Sequence, residues 1–455
     1  FEYMLEKRRG LAETQLCAAA VAASDTMLAL GLPKRSIALL KAEISRCRSV
    51  GAERRARMYM QLALSYQHLG DLRMLGRCCR RGLNLFGKSA PGESNATRSM
   101  LWAELAFAEI LQSRSGRGSA CLEKARKYCP KQNAAALEGR IESLDASMRR
   151  IACNLREARS SSERAAAILS AANESHLACS AYSTAGGILT GIGRFPLALL
   201  RHQEAVIFAE KSRSVVLKSQ ALGNLAECLS RMGRNSEALN TAERAAGAAE
   251  GANSPAISYA FNAILAEVLL ASGDYRGAWP VVEKLNRDAR LNQVIYTGGH
   301  VLYVSAILNF ALGRFDSALE YVYKLCAGKG RKPPFYEREL AEALRARILF
   351  EQGNTLRALR EMMALDKRVK AKRWPYQTCV IELHIGEMLL RDREPAKAAF
   401  YVKRASRLAR AMQAASLLGH GYLLQGLILS PARQSPGVET GGERRAAAGN
   451  AAAAI

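Results

Sequence analysis

The sequence predicts an all-α protein built as an α-solenoid of about ten helix–turn–helix hairpins. Three series of small residues, each repeating every 40 residues, support this prediction. The alanine series is Ala158, Ala198, Ala238, Ala278, Ala318, Ala358 and Ala398. The glycine series, five residues earlier, is Gly193, Gly233, Gly273, Gly313 and Gly353. The third series is Gly186, Ala226, Ala266, Ala306, Ala346 and Gly386. A fixed period of this kind is typical of repeats in which each unit stacks only on its neighbours.

Residues 218–250 show what one unit contains. Apolar residues recur at helical spacing from Leu222 to Leu229, and a second apolar stripe starts at Ala238. Between them stands Gly233, which tolerates the positive φ of a helix end. We expect Ala238 where the two helices cross, because a larger side chain there would push the helix axes apart.

The regularity of the repeat divides the chain into three parts. Residues 1–145 predict irregular hairpins, residues 146–429 the regular array, and residues 430–455 a disordered tail without a periodic apolar face. Arg393 holds the glycine position of the last regular hairpin, where we expect a less left-handed turn. No alternating run of β-branched residues indicates a sheet.

The spacing of a small residue, a glycine seven positions later and an alanine five further on is similar to the tetratricopeptide repeat, whose unit has about 34 residues. Units of 40 residues resemble the superhelical sensor region of bacterial signal-transduction ATPases, including LuxR-type transcription activators. The resemblance implies a non-catalytic scaffold for protein interaction or effector sensing. Because the chain opens with Phe1 in what reads as a helix already under way, we expect it to be the repeat region of a larger regulator.

The net charge of +25 would attract polyanions. Basic clusters occur at 367–373 and 329–332, and arginines crowd residues 46–81. We interpret them as a solvated face that binds nucleic acid weakly and without sequence preference. A basic superhelix that binds nucleic acid remains the alternative function. The 11 cysteines form no Cys-x-x-Cys pair, which favours buried thiols in a reducing compartment. No apolar stretch is long enough to span a membrane, so we expect a soluble, cytoplasmic protein.

One motif favours a second alternative, nucleotide binding. Residues Gly82–Ser89 fit the phosphate-loop pattern G-x-x-x-x-G-K-[ST]. A phosphate loop needs a strand before it and a helix after it, whereas here the motif follows a helical segment and precedes Pro91-Gly92. The motif therefore carries little weight. We predict no catalytic residues, no cofactor and no metal, because the six histidines fall in no ligand or triad arrangement.

The first helices of such hairpins usually line the concave surface, which is where a partner would bind. The exposed positions predicted there are His300, Tyr303, Asn309, Phe310, Arg347 and Phe350. Glu227, Glu267 and Glu387 stand at equivalent points of other repeats. Aromatic residues beside Arg347 suit an acidic or C-terminal peptide, another protein or a small effector. The alternative interpretation is that Tyr303, Phe310 and Phe350 simply pack between repeats.

Overall fold

The structure is a computed structural model. It describes residues 12–87, 95–112, 114–131, 134–151, 154–251, 255–288, 298–327 and 337–430. These residues form 21 α-helices, and no strand occurs among them, as the sequence predicts. The first twelve are α1 (Glu13–Ala29), α2 (Pro33–Arg46), α3 (Ala52–His68), α4 (Leu72–Asn84), α5 (Asn95–Leu111), α6 (Ser115–Tyr128), α7 (Ala135–Ile151), α8 (Leu155–Ala171), α9 (Ser175–Gly191), α10 (Phe195–Ser212), α11 (Val215–Met232) and α12 (Asn235–Gly251). The others are α13 (Pro255–Ala271), α14 (Tyr275–Arg287), α15 (Gly298–Ala311), α16 (Phe315–Cys326), α17 (Glu337–Glu351), α18 (Thr355–Ala371), α19 (Pro375–Arg391), α20 (Pro395–Met412) and α21 (Ala415–Leu429).

The helices follow one another as ten hairpins, each with an odd-numbered first helix and an even-numbered second helix, and α21 comes after the tenth. The chain forms two compact units. The first unit consists of Phe1–Ile188, Arg201–Ala221 and Gly247–Ser258. The second unit consists of Leu189–Leu200, Leu222–Ala246 and Tyr259–Ile455. The tail predicted to be disordered lies, beyond Ser430, outside the described residues.

The repeating small residues lie where helices touch. Every alanine of the first series, from Ala158 to Ala398, has 0% of its surface exposed. A Cβ added at Gly186 would lie 2.5 Å from the ring of buried His202, and one added at Gly386 would lie 2.5 Å from Val402. The 40-residue register therefore coincides with positions where helices pack closely.

The turns within the hairpins are left-handed. The five glycines of the second series have φ values from +71° at Gly313 to +86° at Gly353. The expectation for Arg393 is wrong, because this residue also has a positive φ, of 62°. The backbone N–H of Glu394 donates to the carbonyl of Leu389 at 2.8 Å, as at the other turns of the series. The closing geometry of the hairpin thus imposes the left-handed conformation, which costs an L-residue about 1–2 kcal/mol.

Buried polar contacts tie the first unit together. The hydroxyl of Ser36 is 2.7 Å from those of both Ser24 and Ser65, which links three consecutive helices. Glu104 is 2% exposed, and it accepts two hydrogen bonds from the Arg140 guanidinium, at 2.9 and 3.1 Å. Such bidentate pairs fix the register between neighbouring hairpins.

The second unit contains a contact between hairpins that are far apart in sequence. Phe195, which is fully buried, packs edge-on against Tyr376 with ring centroids 6.0 Å apart. Residues of one apolar cluster, here called the closure contact, are Leu189, Phe195, Ala198, Cys228, Met232, Cys379, Leu383, Val402, Ala405, Ala409, Met412, Ala414 and Leu424. The expectation that each repeat stacks only on the repeats next to it in sequence is wrong here. A small rotation from repeat to repeat accumulates, and it returns α19–α21 to the turns at Gly193 and Gly233.

A candidate binding face on the first helices

Four side chains of the second unit occupy the same position of the 40-residue register on different first helices. These side chains, here called the first-helix row, are Glu227 on α11, Glu267 on α13, Arg347 on α17 and Glu387 on α19. The intervening helix α15 carries Ile307 at this position. The row therefore has one cation among three carboxylates.

Each carboxylate of the first-helix row has a basic neighbour. Glu227 forms an ion pair with Arg231, one turn later on the same helix. The Oε2 atom of Glu267 lies 2.7 Å from Nε2 of His300 on α15. The Oε2 atom of Glu387 lies 3.7 Å from Nδ1 of His384.

Arg347 is the exception in this row. Its guanidinium lies over the ring of Phe310, 4.6 Å from the centroid, and it forms no ion pair with any carboxylate of the described residues. Burial lowers the pKa of Arg347, and the charges of Glu387 and Glu351 oppose this shift. An arginine remains protonated in such surroundings. A half-buried, charged guanidinium beside an aromatic ring is well suited to bind a carboxylate.

The structure brings the residues predicted for the binding face together only in part. Tyr303 and Phe310 are half-buried and pack against the apolar cluster of α15, α16 and α17. Phe350 is only 9% exposed, and the Arg391 guanidinium lies 4.7 Å from its ring centroid. Asn309 donates from Nδ2 to the carbonyl of Ser305 at 2.8 Å, so its amide is bound to its own helix.

Sequence reasoning missed a group of residues around Arg347. The Arg391 guanidinium donates to both carboxylate oxygens of Glu351, at 2.5 and 2.9 Å. The rings of His384 and His420 are 6.3 Å apart. The 40-residue spacing could have pointed to these residues. Glu351 and Arg391 are 40 residues apart, and His420 occupies the same position of the repeat as His300.

The electrostatics of this group are set by burial and by Arg347. Burial and then the Arg347 charge lower the pKa of His384 to about 4. Burial alone would raise the pKa of Glu387, but His384, Arg347 and His420 lower it to about 2. At neutral pH, His384 is therefore neutral and Glu387 is ionised.

The described part of the phosphate-loop motif does not have the structure that nucleotide binding requires. Gly82 lies inside α4, where an added Cβ would meet Leu101 at 3.0 Å and Tyr59 at 3.2 Å. It is thus a helix-packing glycine rather than the first residue of a loop after a strand. Lys88 and Ser89 lie outside the described residues.

The described residues also determine what metal or thiol chemistry is available. They contain no group of three or more His, Cys, Asp or Glu side chains arranged to hold a metal ion. The ten described cysteines are free, and burial raises the pKa of Cys17, Cys179 and Cys379 to about 12. These thiols are inert packing residues. None of the helices in the described ranges is long and apolar enough to cross a membrane.

The sequence matches no protein-family model and no curated protein sequence. Solved structures, in contrast, are similar to it. A Rap protein complexed with Competence and Sporulation Factor is 12% identical, with a TM-score of 0.50, over 88% of this chain and 99% of that one. The apo form of RapI is 11% identical, with a TM-score of 0.53, over 78% and 99% of the two chains. The Rap conjugation gene regulator of the plasmid pLS20, in complex with the Phr* peptide, is 14% identical, with a TM-score of 0.50, over 79% and 96%. The described part of the chain is therefore an α-solenoid of tetratricopeptide-like hairpins.

Proposed function

We propose that this chain is a non-catalytic scaffold that binds a peptide on the first helices of its second unit, with the peptide's C-terminal carboxylate at Arg347. The observation that carries the proposal is the charge pattern of the first-helix row. Glu227, Glu267 and Glu387 each contact a basic side chain of the protein. Arg347 lies over the Phe310 ring and forms no ion pair with a carboxylate of the described residues, although the charges of Glu387 and Glu351 act on it. A partner carboxylate would complete the set.

The surroundings of Arg347 support a peptide rather than a lone anion. Tyr303 and Phe310 offer partly exposed aromatic surface next to the guanidinium. Aromatic residues and arginine are the side chains that most often dominate protein and peptide interfaces. Two of the similar solved structures contain bound partners, one the Phr* peptide and the other Competence and Sporulation Factor. These complexes support the proposal because two proteins that share this fold bind such partners.

In this proposal the chain is a sensing or interaction region of a cytoplasmic regulator, and the bound peptide is its effector. The resemblance of the 40-residue units to the sensor regions of signal-transduction ATPases supports that role. A small acidic effector would use the same guanidinium. A test of peptide binding must therefore also include a set of dicarboxylic acids.

The test is selection from a randomised heptapeptide library, prepared once with free C-terminal carboxylates and once with C-terminal amides. We expect the protein to enrich peptides from the free-acid library only, and Arg347→Gln to lose the enrichment. Arg360→Gln is the matched control, because Arg360 is exposed on α18 and lies outside the first-helix row. Equal enrichment from both libraries, or enrichment that survives in Arg347→Gln, would refute the anchoring role. Binding of the dicarboxylic acids alone would instead favour a small effector.

The basic cluster at 367–373 does not favour the nucleic-acid alternative. Arg368 pairs with Glu342, Lys370 with Glu382 and Lys372 with Glu339. Because three of the five cations in this cluster are compensated within the protein, we expect nucleic-acid binding to be weak, independent of sequence and lost at physiological salt. The cluster at Lys329, Arg331 and Lys332 lies outside the described residues.

A further inference from the structure

Four cationic side chains line an open cavity of the second unit, and none of the first-helix row lines it. The cavity has a volume of about 600 Å³. Its lining residues are Ile192, Lys370, Arg373, Trp374, Pro375, Thr378, Arg404, Arg407 and Leu408. This lining contains four positive charges and no carboxylate. We call this cavity the basic cavity.

Two of the four cations are held by a buried carboxylate behind the lining. Glu382 is fully buried, and its Oε1 lies 2.7 Å from Nζ of Lys370 and 2.6 Å from Nη2 of Arg404. Asp366 also pairs with Lys370. Lys370 and Arg404 are therefore fixed in position and largely neutralised.

The other two cations are not neutralised. Arg373 and Arg407 are exposed, and neither pairs with a carboxylate of the described residues. The basic cavity thus carries an excess of two positive charges. The helix α19 begins at Pro375 on its wall, and the N-terminus of a helix adds further positive potential. The hydroxyl of Thr378 donates to the carbonyl of Trp374 at 2.8 Å, which ties this turn down.

We propose that the basic cavity binds a small organic molecule that carries a phosphate monoester. Such a group has a charge of about −1.5 to −2 at neutral pH, which matches the excess charge of Arg373 and Arg407. Ile192 and Leu408 supply an apolar wall for the organic part. The volume falls in the range of roughly 300–1,000 Å³ that small-molecule sites occupy.

The basic cavity exists because of the closure contact. Ile192 comes from the turn between α9 and α10, whereas every other lining residue comes from α18, α19, α20 or the turn before α19. A ligand that fills the cavity would touch both sides of this contact. We therefore expect ligand binding to raise the thermal unfolding temperature as well as to release measurable heat.

The experiment is calorimetry of the full chain at low salt with phenyl phosphate, phenyl sulfate and inorganic phosphate. Phenyl sulfate has nearly the same shape as phenyl phosphate but one charge fewer, so we expect it to bind about tenfold more weakly. Inorganic phosphate lacks the apolar ring and should also bind about tenfold more weakly. Arg373→Gln and Arg407→Gln should each weaken phenyl phosphate binding about tenfold. Lys403→Gln, on the exposed face of α20, is the control and should change nothing.

Three results would overturn the proposal. They are no binding of phenyl phosphate, equal affinity for phenyl phosphate and phenyl sulfate, and unchanged affinity in the Arg373→Gln/Arg407→Gln double variant. Both arginines are exposed, so the variants should unfold at the same temperature as the unmodified protein in the absence of ligand. This test does not depend on the peptide proposal, because Arg347 does not line the basic cavity.

Discussion

Ala238 lies where α11 and α12 cross, and its methyl group belongs to a buried cluster with Ala226, Leu229, Ala242 and Val268. Its neighbours leave no space for a longer side chain. The alanine that recurs every 40 residues fits this environment, because a position where two helices approach closely must hold a small residue in every repeat.

The first prediction is therefore that Ala238→Leu lowers the free energy of unfolding by about 1–3 kcal/mol through overpacking. Urea denaturation followed by circular dichroism measures the change. Arg244→Leu, on the exposed face of the same helix, is the control and should stay within about 0.5 kcal/mol of the parent. A neutral Ala238→Leu would show that the register is wrongly assigned.

The second prediction concerns His384, whose pKa is lowered by burial from 6.5 to about 4. Between these two pH values the unfolded chain binds a proton at this residue and the folded protein does not. Stability must therefore fall as the pH falls through this window, by up to roughly 3 kcal/mol for this residue. The depressed pKa of Glu387 removes further stability only below its ordinary value of 4.5.

We expect His384→Gln to reduce the loss of stability between pH 7 and pH 4.5, as measured by urea denaturation at several pH values. Part of the loss should remain, because burial also lowers the pKa of His68, in the first unit, to about 4. Identical pH dependence in the variant and the parent protein would show that His384 is not buried in its neutral form.

At the scale of the helices, the hairpins differ in whether a side chain caps the second helix. Asp274 precedes α14 and accepts a hydrogen bond from the backbone N–H of Gly277 at 2.8 Å. Asn354 occupies the equivalent position before α18, but its side chain makes no capping hydrogen bond. Aspartate and asparagine are both good N-caps. Only the orientation of the side chains distinguishes them.

The third prediction follows from this difference. Asp274→Ala should cost about 1 kcal/mol of stability, because it leaves the Gly277 N–H without its acceptor. Asn354→Ala should cost much less, since no bond is lost. Thermal or urea unfolding of the two variants checks the prediction, and equal losses would contradict the capping geometry.

At the scale of the whole molecule, the repeat spacing predicted the stacking of neighbouring hairpins but not the closure contact. The contact depends on how small rotations add up over several repeats, and no local pattern encodes that sum. The basic cavity was missed for the same reason. Lys370 and Arg373 stood out as a cluster, but Arg404, Arg407 and Ile192 join them only in the folded second unit.

The fourth prediction compares two glycines that hold the same place in their hairpins. Both have a positive φ, +79° at Gly233 and +71° at Gly313. A Cβ at Gly233 would lie 2.6 Å from the backbone nitrogen of Ser416, whereas one at Gly313 would meet nothing within 4 Å. Gly313→Ala should cost only the strain of a left-handed alanine, about 1–2 kcal/mol, and Gly233→Ala clearly more. Equal costs in urea denaturation would refute the closure contact.

The proposed binding role of Arg347 could be inferred only partly from the sequence. The register placed Arg347 in a row of glutamates, and the aromatic neighbours were visible as well. The three glutamates contact Arg231, His300 and His384, whereas Arg347 forms no ion pair with a carboxylate of the described residues. This difference depends on how the side chains are arranged in the folded protein. The ion pair of Arg391 with Glu351 is one example, because Arg391 on α19 binds the carboxylate that lies one turn after Arg347 on α17.

The central claim is that Arg347 binds the C-terminal carboxylate of a peptide. The most direct test is a calorimetric cycle with one peptide selected from the free-acid library, prepared as the free acid and as the amide. Both forms are titrated into the parent protein and into Arg347→Gln. We predict that the free acid binds the parent at least about tenfold more tightly than the amide does, and that the two forms bind Arg347→Gln equally. A preference for the free acid that persists in Arg347→Gln would contradict the claim.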